Sequence, residues 1–154
     1  NKLEFEDLGS GMAYSLPVLI AASEPEGHHF IQQPELHIHP ALQSKFANIF
    51  IDSLENYNAI NLESPDYLDL GKSYFIETHS EHLILRFLKL IRDKYHKKNN
   101  MNFSADDLSI LYFEPNAIKN STSVKQIRVT EDGDFLDKWP NGFFSERNRD
   151  IFDE

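Results

Sequence analysis

The segment FIQQPELHIHP, residues 30–40, decides the prediction of the fold. The apolar residues before Gln32 indicate the end of a short buried strand, and Pro40 suits the first turn of a helix, where a missing N–H costs nothing. Polar side chains therefore follow directly on the end of a strand. In parallel sheets, ligand sites form at this carboxyl end. An ordinary strand end with surface histidines explains the same residues, so both interpretations stay open for this segment alone.

A second segment, ETHSEH at residues 77–82, has the same arrangement. Residues 72–77 predict a strand. Ser80 predicts the N-cap of the helix that follows, because a serine hydroxyl accepts hydrogen bonds from first-turn N–H groups. His79 in this position can reach a terminal phosphate, assisted by the positive end of the helix dipole. A simple helix cap accounts for Ser80 but leaves the Thr-His pair before it unexplained.

A Gly-Ser-Gly turn, residues 9–11, precedes an apolar run that ends at Ala22. The run predicts a buried helix, and Pro17 falls within its first turns. The N–H groups exposed at a helix N-terminus bind anions, so the turn is a candidate contact for phosphate. Such turns are common before helices, and a plain turn is the favoured interpretation of this motif taken by itself.

The order of the predicted elements is typical of an α/β domain. The remaining elements are, in chain order, a strand at 28–32, an amphipathic helix from 40 to about 57, a helix from 80 to about 96, a strand at 109–114, and a hairpin formed by 124–129, a turn at 131–134 and the residues from 135. Strands that alternate with helices predict a mostly parallel sheet flanked by helices. We expect the C-terminal β-hairpin to follow that sheet.

The composition is that of a globular protein with an excess of acidic residues. The chain has 154 residues, 40% of them hydrophobic, and a formal net charge of −10. An acidic domain does not attract the nucleic-acid backbone, so we expect any nucleic acid to bind elsewhere. Cysteine is absent, and no apolar run approaches the roughly 18 to 20 residues of a membrane span. We therefore expect a cytoplasmic protein without a membrane partner.

Taken together and in this order, the three motifs resemble the C-terminal lobe of ABC-type ATPase heads, as found in SMC, RecF and OLD-like proteins. The closest resemblance is to prokaryotic OLD-like ATPases, often described as AAA-family ATPases, with a Pro-Glu-Leu-His-x-His-Pro motif. The corresponding positions are 9–16 for the signature motif, 31–35 for Walker B, 36–40 for the D-loop, 78–80 for the switch-histidine loop and 139–144 for the end of that group's sequence. The resemblance implies a P-loop NTPase-like lobe over residues 1–130, followed by a hairpin end and tail at 131–154.

The resemblance also implies roles in nucleotide binding. His79 is expected to contact the γ-phosphate, and Ser10 and Gly11 are expected to contact the nucleotide held by a second head. No Gly-x-x-x-x-Gly-Lys-Ser/Thr motif occurs in the chain, so the main phosphate cradle and its lysine are missing. We therefore expect an N-terminal P-loop lobe, in the same polypeptide or as a separate piece, to complete the site.

Two glutamines depart from the pattern of the family. Gln32 stands where relatives place an acidic residue that supports Mg²⁺, and a neutral amide lacks the charge that makes a carboxylate a good ligand. Gln33 stands where many relatives have the catalytic glutamate, although glutamine there also matches this subgroup. Glu35 is the expected substitute base. A natural loss of activity and a substitution that traps bound ATP remain two explanations for Gln32.

The implied activity is the binding and hydrolysis of ATP, with Mg²⁺ as cofactor. Two heads are expected to form a homodimer around ATP and to separate after hydrolysis, which drives a conformational switch. The family further implies a role in phage defence or DNA maintenance, with an effector nuclease among the expected partners. If nucleic acid is bound, this acidic lobe is not expected to contact it.

Three alternatives use the same residues differently. A metal-dependent hydrolase is suggested by the pattern ELHIH at 35–39 and by His79 and His82, because imidazoles and carboxylates bind zinc or manganese. A catalytically impaired scaffold that recruits an effector is suggested by the two glutamines. A nuclease is suggested by the Asp-Gly-Asp triplet at 132–134, although these residue types also suit a tight turn.

Overall fold

The computed structural model describes residues 10–61, 71–116 and 120–139. The elements in this part of the chain are α1 Ser10–Ser23, β1 Gly27–Gln32, α2 Pro40–Asn61, β2 Lys72–Glu77, α3 Glu81–Tyr95, a 3-10 helix Ala105–Asp107, β3 Ile110–Asn116 and β4 Ser121–Ile127. The fold is α/β, with one parallel and one antiparallel pair of strands. The described residues divide into two compact units, the first extending to Phe87 and the second beginning at Leu88. The boundary at residue 130 drawn from the sequence stays a prediction.

The first unit contains the parallel pair of strands. β1 and β2 lie side by side in register, from Gly27 beside Lys72 to Gln32 beside Glu77. Both strands begin and end within one residue of the bounds expected from the sequence, which confirms their positions. The expected burial of β1 was wrong, because its side chains are half-buried or exposed. Because side chains alternate along a strand, Gln32 and Glu77 lie on the same face at the carboxyl end of the pair.

Helix α2 covers the other face of the parallel pair. The Phe50 ring lies 4.8 Å from the Tyr74 ring, and the hydroxyls of Ser53 and Tyr74 are 2.6 Å apart. Phe50 is 1% exposed, and truncation of such a ring to alanine costs about 3–5 kcal/mol. The apolar residues buried in this unit are Val18, Ile38, Phe46, Ala47, Phe50, Ile51, Leu83 and Ile84. α2 extends to Asn61, past the predicted end near Tyr57, because no glycine or proline interrupts it.

The face that α2 leaves uncovered carries two stacked aromatic rings. Phe30 and Phe75 have ring centroids 4.6 Å apart and are 78% and 55% exposed. Parallel sheets are usually covered on both faces, because the helices that connect their strands pack on each side. This side of the β1–β2 pair therefore exposes one apolar pair of rings between polar side chains.

Helix α1 has the predicted position but not the predicted burial. It runs from Ser10 to Ser23 with Pro17 inside it, and Val18 is its one buried side chain among those that the structure describes. Its exposed large apolar side chains are Met12, Tyr14, Leu16, Leu19 and Ile20. The prediction of burial was wrong because an apolar run shows what a helix is able to bury, whereas its contacts with α2 decide what is covered. None of the described helices has the length and apolar character needed to cross a membrane.

The second unit contains two strands near their predicted positions, in an antiparallel pairing that the sequence did not predict. β3 and β4 pair from Ile110 beside Ile127 to Asn116 beside Ser121. The expected third parallel strand was wrong, because residues 110–116 form their ladder with the next strand along the chain. Neighbouring antiparallel strands need only a short connection, whereas a parallel partner requires a long crossover.

The hairpin predicted around residues 131–134 is confirmed at its turn, but the strand before it, β4, pairs with β3. The two sides of the turn are antiparallel, since Val129 bridges to Phe135 and the Thr130 N–H donates to the Asp134 carbonyl oxygen at 2.8 Å. The Thr130 hydroxyl also accepts the Asp134 N–H at 2.9 Å. The threonine side chain therefore adds to the backbone hydrogen bonds that close the turn.

Contacts with α3 fix the turn that contains the Asp-Gly-Asp triplet. Gly133 has a φ angle of 74°, and a Cβ atom there would lie 2.4 Å from the Leu88 carbonyl oxygen. The Arg92 guanidinium donates to the Gly133 carbonyl oxygen at 2.8 Å and pairs with the Asp134 carboxylate at 2.6 Å. Only glycine fits this close approach with this backbone conformation. The triplet thus has a structural role in attaching the turn to α3.

Candidate functional site

The loops that leave β1 and β2 meet at the carboxyl end of the parallel pair. The Gln33 N–H donates to the Glu77 carbonyl oxygen at 2.8 Å, which continues the strand ladder into the first loop. Oε1 of Glu35 accepts a hydrogen bond from the His79 N–H at 2.7 Å. Hydrogen bonds to a charged carboxylate are stronger than those between neutral groups. The structure thus brings together two candidate residues that lie 44 positions apart.

The turn after β1 has an unusual backbone. Gln33 and His37 have φ angles of 46° and 59°, in a region that residues other than glycine rarely adopt. The N–H groups of Leu36 and Ile38 hold the turn by donating to the carbonyl oxygens of Gln33 and Glu35, each at 3.0 Å. Such backbone strain persists only where the surrounding contacts maintain it, and it is frequent at functional sites.

A second link between the two loops runs through Gln43 of α2. Its Nε2 donates to the Ile38 carbonyl oxygen at 2.9 Å, and its Oε1 accepts the Ser80 hydroxyl at 2.6 Å. The same hydroxyl accepts the Leu83 N–H at 3.1 Å, which confirms the prediction that Ser80 caps α3. Ser80 is buried, so its hydroxyl is not available to a ligand. The two loops are therefore joined at two separate points.

These links surround an open depression of about 630 Å³ at the end of the sheet. The residues that line it are Gln33, Glu35, Leu36, His37, Ile38, His39, Gln43 and His79. The residues predicted to be catalytic, Gln33, Glu35 and His79, thus all face one space. Neither lysine nor arginine is present in this lining, so any positive charge for a phosphate, apart from a protonated histidine, has to come from outside it.

The Glu35 carboxylate has one paired oxygen and one unpaired oxygen. Oε1 is bonded to the His79 N–H, whereas Oε2 is buried and has no hydrogen-bond partner in the described part of the chain. An unsatisfied buried polar group costs about 1–3 kcal/mol, and more when it is charged. The stability of the turn alone therefore does not explain a glutamate at this position.

The start of α1 lies against the same turn. A Cβ atom on Gly11 would lie 3.3 Å from the His37 carbonyl oxygen, and the Tyr14 ring is centred 4.7 Å from the His37 ring. The predicted phosphate-contact residues Ser10 and Gly11 thus occupy the first turn of a helix, as expected, with the backbone of Gly11 beside the loop after β1. Gly9, the remaining residue of the motif, lies outside the described residues.

The predicted metal residue Gln32 does not line the depression. Its side chain is exposed on the sheet face that points away from α2, beside the exposed side chain of Glu77. The carboxylate of Glu77 and the amide of Gln32 form no hydrogen bond or ion pair within residues 10–61, 71–116 and 120–139. The edge of the sheet therefore carries a free carboxylate next to the amide that replaces the expected acidic residue.

The histidines of the chain do not form one cluster. His39 caps α2, since its Nδ1 accepts the Ala41 N–H at 3.2 Å. His28 and His29 lie at the amino end of β1, at the opposite end of the sheet from the two loops. Burial lowers the pKa of His29, and the nearby positive charge of Lys72 lowers it further. No group of three or more histidines and carboxylates that could hold a metal ion occurs in the described ranges.

Sequence reasoning did not identify the role of two residues in this region. Gln43 forms the second link between the loops through Ser80, and Glu77, which the sequence places in the second segment without a role, supplies the free carboxylate at the sheet edge. Gln43 lies on a helix and has no local motif, so no signal in the sequence points to it. Glu77 was a detectable candidate, because it ends a predicted strand directly before the Thr-His pair.

Comparison with known proteins gives one match. The family model described as Protein of unknown function (DUF3696) matches residues 103–153, which include β3, β4 and the turn at 131–134. No curated protein and no solved structure matches the chain. The segment at 139–144 that resembles the end of the OLD-like group falls within this match, but beyond Trp139 it lies outside the described residues.

Proposed function

We propose that the chain is the C-terminal lobe of an ABC-type ATPase head that binds ATP and Mg²⁺ together with a P-loop lobe. The observation that carries this proposal is the meeting of Gln33, Glu35 and His79 around one depression at the carboxyl end of a parallel pair of strands. Nucleotide sites of α/β proteins lie at this edge of the sheet. The order of the three motifs along the chain supports the same assignment.

His79 is the group that contacts the γ-phosphate in this proposal. Its side chain is exposed, and its backbone is anchored to Glu35, so the imidazole projects from a fixed loop. Gln33, whose backbone is held in a left-handed conformation, is assigned the role of orienting the attacking water. Phosphoryl transfer needs positioning and charge stabilisation more than covalent chemistry, and both loops offer positioning.

Glu35 acts in this proposal by positioning the loop of His79. The sequence suggested Glu35 as a substitute base, but a base needs a carboxylate oxygen that water can approach. Oε1 is engaged by the His79 N–H and Oε2 is shielded from solvent, so neither oxygen is open. The proposal therefore keeps Glu35 in the site as the residue that holds the two loops together.

The described depression lacks positive charge for the phosphates of ATP, and we assign that charge to an N-terminal P-loop lobe. ATP carries several negative charges, and no cation lines the described depression. The P-loop supplies backbone N–H groups and a lysine to the phosphates in such ATPases. Ser10 and Gly11 are assigned to the nucleotide of a second head, so that ATP is held between two copies and hydrolysis separates them. The exposed apolar side chains of α1 and of the β1–β2 face are consistent with a lobe that packs against further protein.

A catalytically impaired scaffold is the second candidate. The neutral side chains of Gln32 and Gln33 favour it, because they stand where relatives place acidic residues. In this case ATP still drives association, but phosphate release is absent. For either candidate we also propose a role in phage defence or DNA maintenance, with an effector nuclease as a partner.

Analytical ultracentrifugation of the native full-length protein tests the proposal. We expect Mg-ATP to shift the protein from monomer to dimer, and Gln32→Glu to raise the rate of phosphate release from the dimer. ATP-driven dimers without phosphate release in either protein favour the scaffold. If ATP changes neither association nor phosphate release in either protein, the ATPase assignment is wrong.

A further inference from the structure

Two consecutive residues of the loop after β2 are held by the part of the chain that follows β1. The His79 N–H donates to Oε1 of Glu35 at 2.7 Å, and the Ser80 hydroxyl donates to Oε1 of Gln43 at 2.6 Å. Glu35 fixes the N–H of His79 directly, whereas Gln43 acts one residue later, through the side chain of Ser80. The backbone that carries the His79 imidazole is therefore held at two points.

The amide of Gln43 fits its two partners in one orientation only. The Ile38 carbonyl oxygen can only accept a hydrogen bond, so Nε2 of Gln43, at 2.9 Å, has to face it. Oε1 is then left for the Ser80 hydroxyl, which accepts the Leu83 N–H at 3.1 Å and keeps its own proton to donate. This position thus needs a donor and an acceptor on one planar group. Glutamine provides both, whereas an ionised glutamate only accepts and a methionine of similar size offers no donor.

The surroundings of the Gln43 amide make it a firm support. Gln43 is half-buried and lines the depression, and its partner Ser80 is buried. Hydrogen bonds shielded from water are stronger than exposed ones, and breaking one leaves a buried group unpaired. Helix α2, which carries Gln43, packs on the parallel pair of strands through the buried ring of Phe50. The amide therefore ties the loop of His79 to a packed helix.

We propose that Gln43 is a positioning residue whose amide fixes the loop of His79 against the turn after β1, and so sets where the imidazole meets the γ-phosphate. The catalytic consequence rests on the proposed function, whereas the restraint on the loop is measurable without nucleotide. The contact of Glu35 alone leaves the loop free to turn about a single hydrogen bond, and Gln43 removes that freedom. Loss of the amide impairs His79 through Ser80, without loss of a group that contacts the phosphate.

Removal of the amide at nearly constant side-chain size tests the inference. Five forms of the native full-length protein are compared: wild type, Gln43→Met, Ser80→Ala, the double variant Gln43→Met/Ser80→Ala, and Gln126→Met. Gln126 is an exposed glutamine on β4, in the second unit, so its variant is the matched control for a lost amide. Hydrogen exchange without nucleotide is followed at single amides by nuclear magnetic resonance, and kcat and KM for ATP are measured per folded molecule.

We expect Gln43→Met to speed exchange of the His79 amide by about 5- to 10-fold, an effect of the size of one lost hydrogen bond, although the acceptor on Glu35 is intact. The kcat should fall by about 10- to 100-fold, because a small displacement of a catalytic group has an effect of this size, and KM should change by less than about threefold. The kcat loss in the double variant should be smaller than the product of the two single losses, since both changes break the same hydrogen bond.

Two results would overturn the inference, and they separate it from the proposed function. If Gln43→Met leaves the exchange of the His79 amide and kcat as they are in Gln126→Met while the wild type hydrolyses ATP, Gln43 has no positioning role and the proposed function stands. A change confined to the Leu83 amide has the same meaning, because it shows that the amide supports only the cap of α3. If the wild type neither binds nor hydrolyses ATP, the proposed function fails, and the catalytic role of Gln43 fails with it.

Discussion

The two ends of the β1–β2 pair use their polar groups in opposite ways. At the amino end, the Lys72 ammonium donates to the carbonyl oxygens of Ala22 and Glu24 at 3.1 Å and 2.6 Å, and the His28 ring bonds the Ser73 hydroxyl at 2.8 Å. The contacts of Lys72 connect the end of α1 to the sheet, and the contact of His28 joins the two strands. At the carboxyl end, backbone bonds, the Glu35 carboxylate and the Gln43 amide hold the loops, while other polar side chains remain exposed. A polar side chain that forms no hydrogen bond within the fold is available to bind a ligand, and it is therefore a candidate for function.

The largest expected difference between the two ends concerns their histidines. Under the proposed function, His79→Ala should lower the rate of ATP hydrolysis by about 100- to 1,000-fold, because it removes the group assigned to the charge that develops on the phosphate. His28→Ala, at the amino end, should change the rate less than about twofold, since its contact joins only the strands. Phosphate release at saturating ATP is the measurement. Equal losses in both variants would show that the two ends do not differ in function.

Truncation of Glu35 should have the next largest effect. Glu35→Ala should lower kcat by about 100-fold, because it releases the His79 N–H and lets the imidazole move by about 1 Å or more. Glu35→Gln keeps an oxygen that can accept the same N–H and should retain more of the activity. Hydrogen exchange of the His79 amide is measured alongside kcat. Rapid exchange in Glu35→Ala together with unchanged kcat would contradict the positioning role.

At the amino end, a lysine substitution should affect stability and not activity. Lys72→Met removes two hydrogen bonds from a charged donor to carbonyl oxygens near the end of α1, which should lower the free energy of unfolding by about 1–3 kcal/mol. Phosphate release per folded molecule should stay unchanged. Urea denaturation is the measurement, and Lys45→Met on the exposed side of α2 is the matched control. A loss of turnover without a loss of stability would place Lys72 in the site.

The smallest expected effect is a pH dependence from His29. Burial and Lys72 lower its pKa in the folded chain below the ordinary value of 6.5, so the unfolded chain binds the proton more readily. The contribution of the neutral ring to stability is complete above pH 6.5 and is lost as the pH falls below that value. Urea denaturation at several pH values should show this slope in the wild type and in His82→Gln, and a flatter slope in His29→Gln. Equal slopes in both variants would exclude His29 as its source.

Much of the first unit could be predicted because its signals are local. Short apolar runs indicated both strands, three- and four-residue spacing indicated α2, and the hydroxyl of Ser80 marked the start of α3. The second unit was harder, because residues 110–116 have the same apolar pattern whether their partner is parallel or antiparallel. The burial of α1 was overestimated for a related reason, since an apolar run does not show which neighbour will cover it.

The sequence by itself determined which residue types stand at the ends of the two strands and in what order. Only the tertiary structure decided that Glu35 holds the His79 N–H, that Gln43 joins Ser80 to the turn, and that Glu77 lies beside Gln32. These contacts join positions far apart in the chain, so their partners depend on strand register and on how loops pack. Short-range propensities select helices and strands, but long-range register decides which polar side chains are used by the fold and which remain free to bind a ligand.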